Sequence, residues 1–324
     1  MSLSTDLEKF TSPDNILEGA PLSEYTTFRA GGPCAALVSP ENTEELRAVT
    51  AFLEERGVPY FVIGRGSDLL VSDSGFSGVV ISLRKHFSGV SVSGTNLTAG
   101  AGALLSKAAD EAASASLSGL EFASGIPGTV GGAVRMNAGA YGREIRDCIE
   151  SADVLLPGGE IRTFSKDDLD LSYRHSVIEE VHGIVLQASF RLTPGDPALI
   201  RALMDDLNGR RREKQPLELA SAGSTFKRPE GYFAGKLIED AGLKGYRFGQ
   251  AGISEKHAGF VVNYGGATAS EIMKVIKYVQ QEVFRKFNVV LTPEVRFLGE
   301  FPEGGDPENT DPEGPEISGD PGED

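Results

Sequence analysis

Residues 124–142, S-G-I-P-G-T-V-G-G-A-V-R-M-N-A-G-A-Y-G, hold six glycines and a proline in nineteen positions. That density predicts neither a regular helix nor a central strand, because glycine forfeits backbone entropy and side-chain packing in both. Arg135 is the only charge in the stretch, so a solvated linker is not expected either. Two readings remain. One is a tight structural loop packed against a sheet. The other is a cradle in which bare N–H groups of Gly125, Gly128, Gly131, Gly132 and Gly139 approach something flat or anionic.

A second glycine turn lies upstream. Thr43 opens a helix with Glu44 and Glu45 in its first turn, an apolar stripe of Leu46, Val49 and Leu53, and a stop at Gly57. A buried strand is predicted at 60–63, and it runs into Gly64-Arg65-Gly66-Ser67-Asp68. A glycine turn at a strand's carboxyl end is where α/β proteins place ligands. The turn lacks the third glycine of a dinucleotide fingerprint, and the turn-rich 71–78 gives no helix signal after it. It still offers N–H donors and the Ser67 hydroxyl to a pyrophosphate. The G-Y-F-A-G-K run at 231–236 has three residues between its glycines, and Leu237 follows the lysine. A phosphate-binding P-loop needs four and then Ser or Thr, so nucleoside-triphosphate hydrolysis is excluded.

Short strands are predicted at 79–83, 90–93, 97–100, 152–156, 161–164 and 184–192, with an alanine-rich helix at 103–115 and a linker at Thr193-Pro194-Gly195. A helix from Pro197 runs through Leu199, Leu203 and Leu207 to Arg210-Arg211-Arg212-Glu213-Lys214. That basic cluster either complements the helix dipole or draws in an anionic substrate. Thr268 and Glu271 form a capping box ahead of an amphipathic helix through Ile272, Val275, Ile276, Val279 and Val283. A last strand is expected at 289–298, returning towards the first domain.

The 324 residues exceed one usual core, which implies more than one domain. A net charge of −16 argues against nucleic-acid binding. Residues 301–324 are dominated by Pro, Gly, Asp and Glu around an isolated Ile317, and a disordered acidic tail is expected there. Cys34 and Cys148 form no CxxC pair, which excludes a disulfide scaffold or zinc ribbon and fits a reducing compartment. The N-terminus has no basic and apolar leader, and no run of eighteen apolar residues occurs. A cytoplasmic location without membrane contact is the expectation.

Three constellations could carry chemistry: S-Y-R-H-S at 172–176, A-G-S-T-F-K-R-P at 222–229 and L-T-P-E-V-R at 291–296. Arg174 is either a satisfied surface residue or an active group, and Ser224 either a turn residue or something more. Glu294 is placed in an apolar strand, where a carboxylate is costly unless paired or protonated. Burial of that kind raises a carboxyl pKa into a useful range. No G-x-S-x-G elbow and no Asp/His pair accompany Ser224, so a hydrolase nucleophile is not expected. A serine hydroxyl backed by a glutamate can instead give a proton to a carbanion.

Y-T-T-F-R-A-G-G-P, I-G-R-G-S-D-L-L-V, the glycine stretch, S-Y-R-H-S, A-G-S-T-F-K-R-P, A-G-K-L-I-E-D-A-G-L-K-G and L-T-P-E-V-R occur in that order between residues 25 and 296. In this series the chain resembles the UDP-N-acetylenolpyruvoylglucosamine reductase family. The stretch after Arg174 is too short for an extra substrate-covering loop, which points to the shorter type II subgroup.

The resemblance implies an α+β fold, with a two-part FAD-binding domain of the vanillyl-alcohol-oxidase (PCMH) type and a smaller α/β substrate-binding domain. The expected boundaries are an N-terminal extension at 1–20, the FAD-binding domain at 21–195 in subdomains 21–84 and 85–195, and the substrate domain at 196–300. It implies tightly bound FAD, NADPH as hydride donor, no metal, and UDP-N-acetylglucosamine enolpyruvate as the compound reduced to UDP-N-acetylmuramate. The FAD contacts carried over are Ile63, Gly64, Arg65, Gly66, Ser67, Asp68, Gly125, Pro127, Gly128, Thr129, Gly131, Gly132, Asn137, Ala138, Gly139 and Ile184. The catalytic residues are Arg174, Ser224 as proton donor, and Glu294; the substrate contacts are Tyr173, Lys227, Arg228, Lys236 and His257. Asp68 stands where many members have asparagine, which places an anion near a pyrophosphate. A monomer or weak dimer is expected. Two other readings stand beside the reductase one: a flavoprotein of the same fold oxidising an alcohol or lactone, which would share the glycine cradle, and a non-catalytic FAD- or UDP-sugar-binding module that has lost its chemistry.

Overall fold

The computed structural model describes residues 3–301, so the expected acidic tail lies outside the described residues apart from Phe301. The first sheet has four strands, in the order Ile16–Glu18, Cys34–Val38, Phe76–Ser82 and Tyr60–Ile63. Its last three strands run parallel, and Ile16–Glu18 adds antiparallel at the edge, so part of the stretch before residue 21 belongs to this sheet. Helix α1 (Leu3–Leu7) buries Leu7 in the same core. Helix α2 (Thr43–Glu55) provides the crossover. The Asn42 side chain accepts from Glu45 N–H and satisfies one free donor of its first turn. Leu46, Val49, Phe52 and Leu53 are its buried stripe. The strand at 60–63 is only half-buried, not buried as expected, because it lines a cavity instead of meeting a second layer.

The second sheet is antiparallel throughout, in the order Ile161–Ser165, Ile149–Leu155, Ile184–Arg191, Asn96–Gly100 and Val90–Ser93. Helix α3 (Leu105–Ser114) lays its alanines against it. The glycine-rich stretch differs from expectation: Val130–Arg135 is a helix, α4. Its tolerance of two glycines has a packing reason, since a Cβ on Gly131 would lie 2.8 Å from the Ala101 Cβ. Helix α5 (Val177–Glu180) follows. The two sheets share one apolar core.

Helix α6 (Pro197–Lys214) is capped by Asp196, whose carboxylate accepts from Ala198 N–H at 2.8 Å. It buries Ile200, Met204 and Leu207, while Leu199 is 70% exposed, so the expected stripe holds at Leu207 and is rotated by one residue in the two turns before it. Those three side chains lie in the first core, so this helix belongs with the two sheets and not with the unit expected to start at 196.

The remaining unit packs α7 (Ala234–Asp240) and α8 (Ala269–Phe287) on a small antiparallel sheet of Arg247–Phe248, Ala251–Ile253 and Val261–Asn263. The reciprocal Thr268–Glu271 capping box starts α8 as expected. The last strand is only Arg296–Leu298, shorter than the expected 289–298, because Pro293 and its neighbours bridge to Phe226. It pairs parallel with Leu69–Val71, directly after the first glycine turn. Phe301 stacks edge-on against Phe297 at 5.7 Å. Among the described residues, no helix is long and apolar enough to cross a membrane.

Candidate active site

A cavity of about 700 Å³ opens between the two sheets and the third unit, a size ordinary for a cofactor pocket. Its walls include Ile63, Gly64, Arg65, Gly66, Ser67 and Asp68 from the first glycine turn. Pro127, Gly128, Thr129, Gly131, Gly132, Ala138 and Gly139 come from the second, and Ile184 from the central sheet. The two turns, far apart in sequence, therefore face one space.

The glycines divide by what surrounds them. A Cβ on Gly64 would strike the Thr129 hydroxyl at 2.3 Å, so Gly64 lets the two turns touch. The Gly131 N–H is already spent on the Ala101 carbonyl at 2.9 Å. Gly125 faces Asn208 and Arg211 of α6 and does not line the cavity, contrary to expectation; a side chain there would meet the Asn208 amide at 2.3 Å. Gly128 and Gly132 are different, with no protein atom closer than 3.4 Å and 3.8 Å to their would-be Cβ atoms. These two leave backbone open to a ligand. Asn137 also departs from expectation. It is fully buried, donating to Glu144 and to the Ser172 carbonyl, both at 2.9 Å, and accepting from Arg146 N–H at 2.9 Å. With those bonds made, it is a structural brace between the glycine stretch and the 172–176 segment.

That segment turns tightly, with Ser172 and His175 exchanging backbone hydrogen bonds. Arg174 at its tip has φ +56, a left-handed conformation that a non-glycine residue adopts at some cost. The strain aims its guanidinium at Glu294, with Nε donating to Oε1 at 2.6 Å. Glu294 is not in a strand as expected but just before one, anchored by its N–H to the Thr225 carbonyl at 2.8 Å. Burial pushes its carboxyl pKa up, and Arg174 and then Lys227 pull it back down. Ser224 is exposed into the same space, and its hydroxyl has no hydrogen-bond partner among the described residues.

A second cavity of about 410 Å³ adjoins the first. Arg174, Ser224 and Glu294 line both, so all three stand at the neck between them. The second cavity is basic, with Arg228, Lys236, Lys244, Lys256 and His257 in its wall alongside Tyr173 and Phe233. Arg228 lies over the Phe233 ring at 4.0 Å, and its N–H donates to the Tyr173 hydroxyl at 3.2 Å. Lys236 is paired with Asp240, and Lys244 with Glu239. His257 accepts from Gly259 N–H at Nδ1, and burial lowers its pKa, so the ring is neutral with its proton on Nε2. Lys227 lines neither cavity, and its charge is felt by Asp68 and Glu294 from the side.

Three further arginines line the larger cavity; Arg135 and Arg296 were not among the candidates from sequence, and Arg211 was expected only as part of a basic cluster. Arg135 and Arg296 share Glu179 between them. Arg211, from the basic end of α6, is half-buried with no carboxylate partner among the described residues. An unpaired cation and open glycine backbone lining the same cavity suit a diphosphate, and the half-apolar walls suit a flat ring. The residues present therefore fit FAD. Among the described residues, no three His, Cys, Asp or Glu side chains gather as metal ligands would.

A family model described as UDP-N-acetylenolpyruvoylglucosamine reductase, C-terminal domain, matches residues 215–298, and one described as FAD binding domain matches residues 33–165. The chain is 51% identical over 298 residues to a UDP-N-acetylenolpyruvoylglucosamine reductase of Agathobacter rectalis, covering 88% of this chain and 95% of that one. Identity to the same-named protein of Clostridium novyi is 49% over 300 residues, covering 93% and 97%. The crystal structure of the Thermus caldophilus enzyme of that name superposes with a TM-score of 0.76 at 37% identity, covering 88% of this chain and 98% of that one.

Proposed function

Because the chain belongs to the UDP-N-acetylenolpyruvoylglucosamine reductase family and is an FAD-dependent oxidoreductase, we propose that it reduces UDP-N-acetylglucosamine enolpyruvate to UDP-N-acetylmuramate with NADPH. The observation that carries this reading is the neck: Arg174, Ser224 and Glu294 stand where the FAD-sized cavity meets the basic one. When bound, FAD supplies two-electron hydride chemistry, here between NADPH and the enolpyruvyl β-carbon.

Ser67, Gly128, Gly132 and Arg211 would hold the diphosphate of the cofactor, and Ile63 and Ile184 would flank its apolar parts. Arg228, Lys236 and His257 would receive the UDP-sugar in the basic cavity, with Tyr173 over its mouth. NADPH carries a diphosphate too, and the same cavity would receive it first. Reduction of the double bond needs a proton at the α-carbon once hydride reaches the β-carbon. Ser224 Oγ–H has no competing partner and would give that proton. Negative charge that develops on the enolpyruvyl carboxylate would meet the Arg174 guanidinium, which Glu294 holds in place.

The test is anaerobic. NADPH should bleach the flavin band of the purified protein, and the enolpyruvyl UDP-sugar should then restore it. A bleached flavin that ignores the sugar would leave an oxidoreductase with another substrate.

A further inference from the structure

Asp68 is a half-buried acid lining the larger cavity, with one carboxyl oxygen sealed from solvent, and the chemistry above gives it no task. It ends the first glycine turn, and its carbonyl accepts from Arg296 N–H at 3.0 Å, which brings it against the segment carrying Glu294. Its carboxyl makes no hydrogen bond to the protein, and Oδ2 is buried without a partner. The charged groups that face it are Glu294, Arg296, Arg174 and Lys227. Two of the cations are already engaged, Arg174 with Glu294 and Arg296 through Nη2 with Glu179; the Arg296 Nε is also buried without a partner, but it makes no hydrogen bond to the Asp68 carboxyl. A carboxylate left there would be desolvated, undonated to, and repelled by Glu294. The neutral acid is the stable form. Burial first, and the Glu294 charge second, push this carboxyl up to about 8.

A neutral acid has an O–H to give, and no acceptor in the protein takes it. We propose that Asp68 stays protonated at neutral pH and donates its O–H to an oxygen or ring nitrogen of the cofactor in the larger cavity, with Glu294 as the neighbour that keeps the proton on it. This rests on the FAD reading of that cavity. It turns an apparent anion beside a diphosphate into a donor, and it sets an upper pH limit on cofactor retention.

The holoenzyme is diluted at a series of pH values from about 6 to about 9.5, and released flavin is read by fluorescence. The apparent Kd should be flat up to about pH 8 and then rise by up to ~10-fold per pH unit, because one proton is tied to each bound flavin. Asp68→Asn keeps a neutral donor that cannot ionise, so its curve should lose that rise. Glu294→Gln removes the repelling charge, so the rise should begin at lower pH. A flat wild-type curve, an equal rise in Asp68→Asn, or an unmoved onset in Glu294→Gln would each overturn the assignment. If Asp68→Asn does not fold, the Glu294→Gln onset decides alone. A wild-type protein that binds no flavin at any pH would instead overturn the FAD reading itself.

Discussion

At the scale of single residues, the two proposed half-reactions meet at the neck, and one substitution should pull them apart. Ser224→Ala removes the proposed proton donor and nothing that faces the deeper cavity alone. Bleaching of flavin by NADPH should survive, while reoxidation by the UDP-sugar should slow by at least ~10²-fold in stopped-flow traces, the scale of a lost general acid. Equal slowing of both phases would remove the role from Ser224. Asp68 makes a second, thermodynamic prediction. Its folded pKa of about 8 lies above the unfolded value near 3.8, so the native state holds a proton that the unfolded chain has lost. Stability from this group is full below about pH 4 and falls as pH climbs to about 8. Asp68→Asn should therefore gain stability over wild type on going from pH 5 to pH 8, by about 4 kcal/mol at most, read by chemical denaturation at the two pH values. The sequence announced Arg174, Ser224 and Glu294 as residue types in unusual company. It could not announce their meeting, because Arg174 and Glu294 are 120 positions apart and only the fold closes that gap. Asn137 shows the converse. A polar residue in a glycine-rich run looks like a ligand contact until its three hydrogen bonds are seen to end on protein.

At the scale of elements, local signals were reliable where they were redundant. Helix α8 has a capping box, a long apolar stripe and Arg285 and Lys286 in its last turn, and it forms as its sequence predicts. Helix α6 has two competing apolar rows, Leu199–Leu203 and Ile200–Met204, and the partner surface chose the second. Propensity alone does not distinguish rows one residue apart. Met204→Ala should accordingly cost about 2–5 kcal/mol in chemical denaturation, whereas Leu199→Ala should be nearly silent. Helix α4 was hidden for another reason. Its glycines are poor helix formers, and what holds it is contact with 101–103, where Val130 and Gly131 N–H groups donate to the Ala103 and Ala101 carbonyls. The basic end of α6 was legible as a cluster, but which arginine turns inward was not.

At the scale of the whole molecule, the third unit is tied to the first sheet at several points. The Asp73 carboxylate accepts from Ala269 N–H at 2.6 Å and Ser270 N–H at 2.9 Å, capping α8 from across the boundary. Asn263 Nδ2 donates to the Phe28 carbonyl at 2.9 Å. Asp73→Ala should therefore lower stability by about 1 kcal/mol, the usual value of a lost N-cap, without altering the flavin spectrum. Truncation after Phe301 keeps the Phe297 contact and removes a segment whose single large apolar residue is Ile317. Both half-reactions and the thermal midpoint should be unchanged; a drop in midpoint would give that segment a packing role.

The short parallel pair of Leu69–Val71 with Arg296–Leu298 joins the turn that ends in Asp68 to the segment that carries Glu294. One seam thus holds the first glycine turn against the segment that carries Glu294, and both line the larger cavity. The third unit cannot melt away and leave an intact flavin pocket behind, since its departure takes one wall of that pocket with it. On heating, release of flavin fluorescence, loss of turnover and unfolding of α8 should pass through a single midpoint.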